Sequence, residues 1–168
     1  MFKIIYNISV MAKLELEINK LFKKTGQTLA IAESCTGGLL SNLITDIPGS
    51  SRYFILGVTA YSNASKTSVL KIPRQAILKY GAVSAQVATL MAKSVKRLSK
   101  ADFGIGITGI AGPTGGEKSK PVGTIFIAVE GVHKKICKRF YFEGRRLTIK
   151  KKSALLALEL LKTCLEKN

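Results

Sequence analysis

The fold of this chain is decided around the stretch Ala32-Glu33-Ser34-Cys35-Thr36-Gly37-Gly38, which follows an apolar run over residues 28–32. The run has the length of a buried strand, and the two glycines suit the tight start of the next element. Such a turn presents a serine beside backbone N–H groups that no helix or strand has used. The stretch therefore predicts a strand, a turn and a helix, with Ser34 as a candidate nucleophile at the turn.

Two further segments repeat this arrangement, in which an apolar run ends in small or polar residues. Tyr61-Ser62-Asn63-Ala64-Ser65-Lys66 closes a run over residues 53–61, and Thr108-Gly109-Ile110-Ala111-Gly112-Pro113 closes a run over residues 102–108. A single pocket at one edge of a sheet requires several strand ends of this kind. We therefore expect the three segments to meet in one site.

The apolar periodicity of the whole chain predicts helices before, between and after the strands. The predicted helices cover residues 14–25, 37–45, 64–70, 73–81, 84–98 and 147–166. The predicted strands cover residues 28–32, 53–61, 102–108, 122–129 and 135–142, with the last two as a hairpin. The strand over residues 53–61 is largely apolar and is expected to be buried. This order predicts an α/β fold, a single-domain α/β/α sandwich around a mixed β-sheet.

The length of the chain, 168 residues of which 46% are hydrophobic, allows one domain with a substantial core. Residues 1–10 are too polar in the middle for a secretory signal, and they lack a small-residue cleavage site. They are either an extension or an edge strand, and the sequence leaves both open. No run approaches the ~18 apolar residues of a membrane span, so no membrane partner is expected.

The cysteines indicate a reducing compartment. Cys35, Cys137 and Cys164 are odd in number and have no C-x-x-C spacing, so neither a disulfide framework nor a zinc site is expected. The only histidine, His133, lies in a polar turn between two predicted strands, and we expect it to be exposed there. A cytoplasmic protein without a metal site and without a Ser-His-Asp triad is the resulting expectation.

The charge of the chain is strongly positive. Lys and Arg number 27 against 10 Asp and Glu, which gives a formal net charge of +17. Such a charge attracts phosphates, nucleic acid or anionic lipid. The lysines are scattered and are not interleaved with exposed aromatic residues, so nucleic acid is not expected as a partner. The densest basic run, Arg145-Arg146 with Lys150-Lys151-Lys152, is suited to bind one anionic group.

Four motifs occur in a fixed order along the chain: E-S-C-T-G-G, A-Y-S-N-A-S-K, T-G-I-A-G-P followed by Gly115-Gly116, and Lys120-Pro121-Val122-Gly123-Thr124. In order and spacing they resemble the nicotinamide-nucleotide amidohydrolases, the stand-alone relatives of the C-terminal domain of the competence/damage-inducible protein CinA. The similarity runs from about Leu14 to the C-terminus. The resemblance implies hydrolysis of nicotinamide mononucleotide to nicotinic acid mononucleotide and ammonia through a serine acyl-enzyme, with no metal and no cofactor.

The resemblance also implies a role for each catalytic residue: Ser34 as nucleophile, Lys66 as base and Tyr61 as a group that relays or orients the proton. A lysine acts as a base only when it is neutral, so its pKa must fall from ~10.4 by about three units, which burial can achieve. From the residues alone, Ser34 can equally be a helix cap, Lys66 a solvated lysine and Tyr61 a core aromatic residue. Cys35 is the rival nucleophile, but alternation along the chain turns it away from Ser34.

For substrate binding, the resemblance implies the segment Cys35, Thr36 and Gly37, the loop residues Thr108, Gly109 and Gly112, and Arg146. Backbone N–H groups near Thr36 and Gly37 are the expected oxyanion donors. Arg146 is the expected phosphate ligand, because guanidinium matches phosphate bidentately. The family typically has F-x-G-D-R-x-x-I/V-R here, whereas this chain has Arg145 at the acidic position and Lys150 at the final arginine.

Two rival functions remain at this point. One is a basic protein that binds nucleotide or nucleic acid and has lost catalysis, which the charge and Arg145 favour and the intact Ser34, Tyr61 and Lys66 oppose. The other is an amidase for another small amide, which the same residues permit. The sequence leaves open the physiological substrate, the phosphate ligands and whether the chain forms a homo-oligomer.

Overall fold

The computed structural model describes the backbone of residues 8–166 and the side chains of residues 13–166. Each predicted helix and strand is present among them. In chain order the elements are α1 (Ile8–Thr25), β1 (Leu29–Glu33), α2 (Leu39–Thr45), a 3-10 turn (Ser50–Arg52), β2 (Phe54–Thr59), α3 (Asn63–Ser68), α4 (Arg74–Tyr80), α5 (Ala85–Ser99), β3 (Phe103–Gly109), β4 (Thr124–Glu130), β5 (Lys135–Tyr141) and α6 (Arg146–Leu165).

The sheet has the strand order β2-β1-β3-β4-β5 and is mixed, as predicted. β1 pairs in parallel with β2 and with β3, while β4 pairs antiparallel with β3 and with β5. One apolar layer joins α1, α2 and α6 to one face of the sheet, and a second joins the α3–α4 connection, α4 and α5 to the other face. The fold is therefore the expected α/β/α sandwich.

The central strands β1 and β3 are buried along their length because helices cover both faces of the sheet. In β3, Gly104 and Gly106 alternate with the isoleucines and face α5. A Cβ atom at either glycine would meet the backbone oxygen of Ala92 or Ala88. The absence of side chains at these two positions lets α5 approach the sheet closely.

The structure corrects two expectations. The strand over residues 53–61 is not buried: β2 lies at an edge of the sheet, its residues alternate in burial, and Ile55 is 50% exposed. Helices cover one face of β2, and its outer edge pairs with no strand among the described residues. The first helix begins at Ile8, so an edge strand is wrong for residues 8–10, whereas residues 1–7 lie outside the described part of the chain.

The topology brings the carboxyl ends of the three parallel strands β1, β2 and β3 to the same edge of the sheet, where open α/β folds bind ligands. The exposed His133 lies in the β4–β5 turn, at the opposite end, because Glu130 pairs with Gly104 near the start of β3. Among residues 8–166, no helix has the length and apolar composition needed to cross a membrane.

Candidate active site

A cavity of ≈ 330 Å³ lies where the three parallel strands end. Its lining includes all three segments singled out in the sequence, with Ser34 after β1, Tyr61 after β2 and Thr108 at the end of β3. The other lining residues are Cys35, Asn63, Lys66, Ala82, Val83, Gly109, Ile110, Ala111, Gly112, Thr114, Gly115 and Arg146. A larger groove of ≈ 500 Å³ between α3 and α4 shares only Asn63 with this cavity and contains neither Ser34 nor Lys66.

Lys66 and Ser34 are in direct contact at the base of the cavity. The Ser62 hydroxyl accepts from Ser65 N–H, and the Ser65 hydroxyl accepts from Ser62 N–H, which fixes the start of the helix that carries Lys66. Lys66 is only 1% exposed, and its Nζ donates to Ser34 Oγ over 2.9 Å. The same Nζ donates to the carbonyl oxygens of Ala60 at 2.8 Å and Tyr61 at 3.3 Å. Three acceptors thus surround one buried amine.

The environment of Lys66 favours the neutral amine. Burial lowers the pKa of Lys66 below its ordinary value, because the ammonium form loses hydration, and the nearby Cys35 opposes this shift. Among the described residues, no carboxylate lies within ion-pair distance of Lys66. A neutral amine has two N–H protons for the two carbonyl oxygens and one lone pair for the Ser34 hydroxyl proton. The three heavy-atom contacts therefore suit a lysine that accepts a proton from Ser34.

Cys35 lines the cavity beside Ser34, but it is less suited to act as the nucleophile. Its side chain is 6% exposed and packs into the apolar layer formed with α1, α2 and α6. Burial raises the pKa of the Cys35 thiol to about 12, so the reactive thiolate is not populated near neutral pH. Ser34, which holds the contact with Lys66, is the better candidate nucleophile.

The turn after Ser34 supplies unpaired backbone N–H groups. Gly37 N–H donates to the Ser34 carbonyl over 3.1 Å, and Gly38 N–H donates to the Glu33 carboxylate, so neither is free to bind substrate. Within residues 34–38, the N–H groups of Cys35 and Thr36 have no hydrogen-bond partner in another described residue, and the Cys35 N–H contacts its own thiol. Of these two residues, Cys35 lines the cavity, whereas Thr36 is fully buried and, like Gly37, lies outside the cavity lining. The Cys35 N–H is therefore the better placed candidate oxyanion donor.

Tyr61 and Arg146 meet at the mouth of the cavity. The Arg146 guanidinium donates through Nη2 to the Tyr61 hydroxyl at 2.7 Å and through Nη1 to the Gly112 carbonyl at 2.8 Å. The Tyr61 ring is largely exposed, and only its backbone carbonyl reaches Lys66. In the described residues the Tyr61 hydroxyl contacts neither Ser34 nor Lys66, so its relay role stays a prediction.

The loop after β3 is held in place by hydrogen bonds and close packing. The buried Thr108 hydroxyl donates to the Ala82 carbonyl over 2.8 Å, which ties β3 to the α4–α5 connection. A Cβ atom at Gly109 would lie 2.7 Å from the Thr124 carbonyl oxygen, and Gly112 has a positive φ of 76°. All three predicted loop residues line the cavity. Ala82 and Val83, for which no sequence pattern predicted a role, reach the cavity only through tertiary packing.

The two unusual basic positions lie outside the cavity lining. Arg145 precedes the first residue of α6 and is exposed. The Lys150 ammonium lies over Gly37, 3.4 Å from where a Cβ atom at that glycine would be. Only Arg146 of this basic run reaches the cavity. Among the described residues, no three His, Cys, Asp or Glu side chains are grouped as metal ligands.

Glu33 supports the site, although no sequence pattern above singled it out. Its carboxylate is fully buried beneath the Ser34 turn and binds the start of α2. The signal was present, since a lone acidic residue ended an apolar strand directly before Ser34 and the two glycines.

Comparison with known proteins finds relatives that carry the name of one family. The family model described as the CinA C-terminal domain matches residues 11–165. A CinA-like protein of Geotalea uraniireducens is 46% identical over 145 residues, which cover 86% of this chain and 34% of that protein. A CinA-like protein of Thermotoga neapolitana is 48% identical over 88% of this chain and 36% of its own length. The chain thus spans about a third of the length of these relatives.

Solved structures cover almost the whole chain. The competence damage-inducible protein A (ComA) of Klebsiella pneumoniae has a TM-score of 0.89 and 30% identity, covering 93% of this chain and 97% of that one. The competence/damage inducible protein CihA of Agrobacterium tumefaciens has a TM-score of 0.89 and 34% identity, with 92% and 94% covered.

Proposed function

The chain belongs to the CinA C-terminal domain family, and we propose that it is a hydrolase that converts nicotinamide mononucleotide to nicotinic acid mononucleotide and ammonia. The observation that carries this proposal is the 2.9 Å contact between the buried Lys66 Nζ and Ser34 Oγ at the base of an open cavity. A serine beside a lysine with a lowered pKa is an activated nucleophile. The four motifs that resemble the nicotinamide-nucleotide amidohydrolases support the substrate.

In the proposed first step, Ser34 Oγ attacks the carboxamide carbon while its proton passes to neutral Lys66. The carbonyl oxygen becomes negative and is stabilised by backbone N–H groups of the turn after Ser34, with that of Cys35, which lines the cavity, as the first candidate. Lys66 then returns the proton to the amide nitrogen, the C–N bond breaks and ammonia leaves. Water cleaves the resulting ester in the same way, which releases the carboxylate product and restores Ser34.

The substrate phosphate is proposed to bind at Arg146. This residue begins α6 at the cavity mouth, and its guanidinium already bridges Tyr61 and Gly112 across that mouth. A phosphate can take two parallel hydrogen bonds from a guanidinium. A phosphate that displaces the Tyr61 hydroxyl from Nη2 of Arg146 would leave that hydroxyl free to turn toward the reacting group.

The alternative is a basic binding protein without catalysis, which the net charge of +17 and Arg145 favour. The contact between Ser34 and Lys66 opposes it, because ligand binding requires no buried amine beside a serine. The proposed enzyme belongs in the cytoplasm, where the free thiols Cys35, Cys137 and Cys164 stay reduced.

The decisive experiment measures ammonia released by the pure protein from nicotinamide mononucleotide, with Ser34→Ala as control. We expect turnover by the parent chain and none by Ser34→Ala, which should fold normally because it loses only one hydroxyl. Nicotinamide and a second small amide, supplied separately, test the substrate. If Ser34→Ala still releases ammonia, Ser34 is not the nucleophile. If the parent chain cleaves only the other amide, nicotinamide mononucleotide is not the substrate.

A further inference from the structure

The Glu33 carboxylate binds the start of α2 with both of its oxygens. One oxygen accepts from the N–H groups of Gly38 at 3.0 Å and Leu40 at 3.1 Å. The other accepts from Ser41 N–H at 2.8 Å and Ser41 Oγ at 2.7 Å. Glu33 is 0% exposed. The residue that precedes Ser34 is therefore a buried anion with four donors.

This carboxylate replaces the cap that α2 itself lacks. The residue at the N-cap position is Gly38, which has no side chain to accept from the first turn. A glycine-rich turn before a helix commonly binds a phosphate or another anion. Here the chain's own carboxylate occupies those donors. An external anion is thereby excluded from this helix end, and the substrate phosphate must be bound elsewhere.

The Ser34 turn is consequently fixed at both of its ends. On the strand side, Ser34 N–H donates to the Ile107 carbonyl at 3.0 Å, and on the helix side Glu33 binds Gly38. Within the turn, the N–H groups of Cys35 and Thr36 have no hydrogen-bond partner in another described residue. The direction of these two groups relative to Ser34 Oγ thus depends on how α2 is joined to the end of β1.

We infer that Glu33 is a positioning residue, whose carboxylate joins α2 to the end of β1 and so orients Ser34 and the adjoining turn for acyl transfer. The inference rests on the proposed function, because it assigns Glu33 to the orientation of that function's nucleophile. It predicts that loss of the carboxylate lowers the rate of the chemical step more than it lowers the folded fraction.

The test compares Glu33→Gln with a matched carboxylate at the other end of β1. Glu33→Gln keeps the size but replaces one accepting oxygen by an NH2 group that faces N–H donors. The control is Asp102→Asn, because Asp102 Oδ2 accepts from Thr28 N–H at 2.8 Å and Thr28 Oγ1 at 2.9 Å. Both carboxylates fix an end of β1, but only Glu33 adjoins Ser34.

The readout is the reaction of Ser34 with p-nitrophenyl acetate. Ser34 Oγ attacks the ester carbon, its proton passes to Lys66, the bond to p-nitrophenolate breaks, and the acetyl group stays on Ser34. Partial unfolding lowers the amplitude of the p-nitrophenolate burst, whereas a misplaced nucleophile lowers its rate constant. Ser34→Ala gives the background from other nucleophiles, and mass spectrometry locates the acetyl group.

We expect Glu33→Gln to lower the burst rate constant by on the order of a hundredfold, the cost of a small misplacement of reacting groups. Asp102→Asn should lower the melting temperature and leave the rate constant unchanged. An unchanged rate constant in Glu33→Gln, or an equal fall in Asp102→Asn, overturns the inference.

The kcat and KM for the mononucleotide separate this inference from the proposed function. Glu33→Gln should lower kcat and leave KM within about twofold, because Arg146 is untouched. If the parent chain acetylates Ser34 but releases no ammonia from the mononucleotide, the proposed function fails and the inference stands. If the parent chain neither acetylates Ser34 nor releases ammonia from the mononucleotide, both fail.

Discussion

At the residue scale, the site depends on one contact between a buried amine and a hydroxyl. Lys66 donates to Ser34 and to two backbone carbonyls, and burial lowers its pKa. An ammonium here would have three acceptors but no counter-ion within the described residues, which makes burial of the charge costly. In the neutral amine the two N–H protons serve the two carbonyl oxygens and the lone pair accepts the Ser34 hydroxyl proton, and that is the form a base requires.

Lys66→Arg tests whether Lys66 is a base or an electrostatic anchor. Arginine keeps the positive charge but does not deprotonate at working pH, so we expect it to be nearly as damaging to kcat as Lys66→Met. The measurement is ammonia release, with circular dichroism to verify folding. If Lys66→Arg keeps most of the activity, Lys66 is not the base, and Tyr61 is the next candidate.

The lowered pKa of Lys66 also predicts a pH dependence of stability. Between the folded pKa and the ordinary value of 10.5, the unfolded chain binds more protons at this site, so stability of the parent chain rises with pH. Lys66→Met has no such group. The free energy of unfolding of the parent minus that of Lys66→Met should therefore increase as the pH is raised toward 10.5. Urea unfolding at matched pH values measures it, and a flat or falling difference would contradict the shift.

Arg146→Ala tests the proposed phosphate contact. Loss of a charge-assisted hydrogen bond typically costs about 1.5 to 3 kcal/mol, or roughly ten- to a hundredfold in affinity. We expect KM for the mononucleotide to rise by that factor, while turnover of the dephosphorylated riboside changes little. If Arg146→Ala weakens turnover of both substrates equally, Arg146 stabilises the loop after β3 through its contact with Gly112 and does not bind phosphate.

At the scale of elements, the site depends on how closely α5 packs on β3. Gly104 and Gly106 bring the backbone of α5 onto the strand, and the far end of β3 carries Thr108 into the cavity. The Thr108 hydroxyl in turn holds the α4–α5 connection through Ala82. Helix packing and cavity shape are therefore coupled through one strand.

Gly106→Ala should destabilise the fold by about 1 to 3 kcal/mol, the usual cost of overpacking a core. The added methyl group would meet the backbone oxygen of Ala88, so α5 must shift. Urea denaturation measures the effect. Adding Ala88→Gly should not rescue stability, because the atom that is met belongs to the backbone. If Gly106→Ala unfolds at the same urea concentration as the parent chain, α5 moves away from the added methyl group without loss of stability.

At the scale of the whole molecule, the dominant property is the positive charge. Against the formal charge of +17, the described residues form three ion pairs, two of them with Lys162. Most cations therefore have no carboxylate partner in that part of the chain. A surface of this kind attracts phosphorylated ligands over distances of about a Debye length, ~10 Å at 0.1 M salt.

Salt should therefore raise KM for the mononucleotide and leave kcat unchanged, because screening weakens attraction of the phosphate but not the reaction of Ser34. The riboside, which has a positive ring and no phosphate, should show no such loss. Kinetics at several salt concentrations measure both. If nucleic acid instead binds with an affinity that falls steeply and linearly on a logarithmic salt scale, the rival binding function gains support.

The sequence by itself determined the order of elements, the mixed sandwich and the three strand ends that line the cavity. Those features follow from local periodicity and turn residues, which act over a few neighbouring positions. It misjudged β2, because an apolar run has the same pattern at an edge as in the centre of a sheet. Only the tertiary structure decided that Lys66 is buried against Ser34, that Tyr61 contacts Arg146, and that Glu33 occupies the start of α2. Each of the first two contacts joins segments more than 30 residues apart, and all three depend on burial and side-chain direction, which are set by the packing of the whole chain.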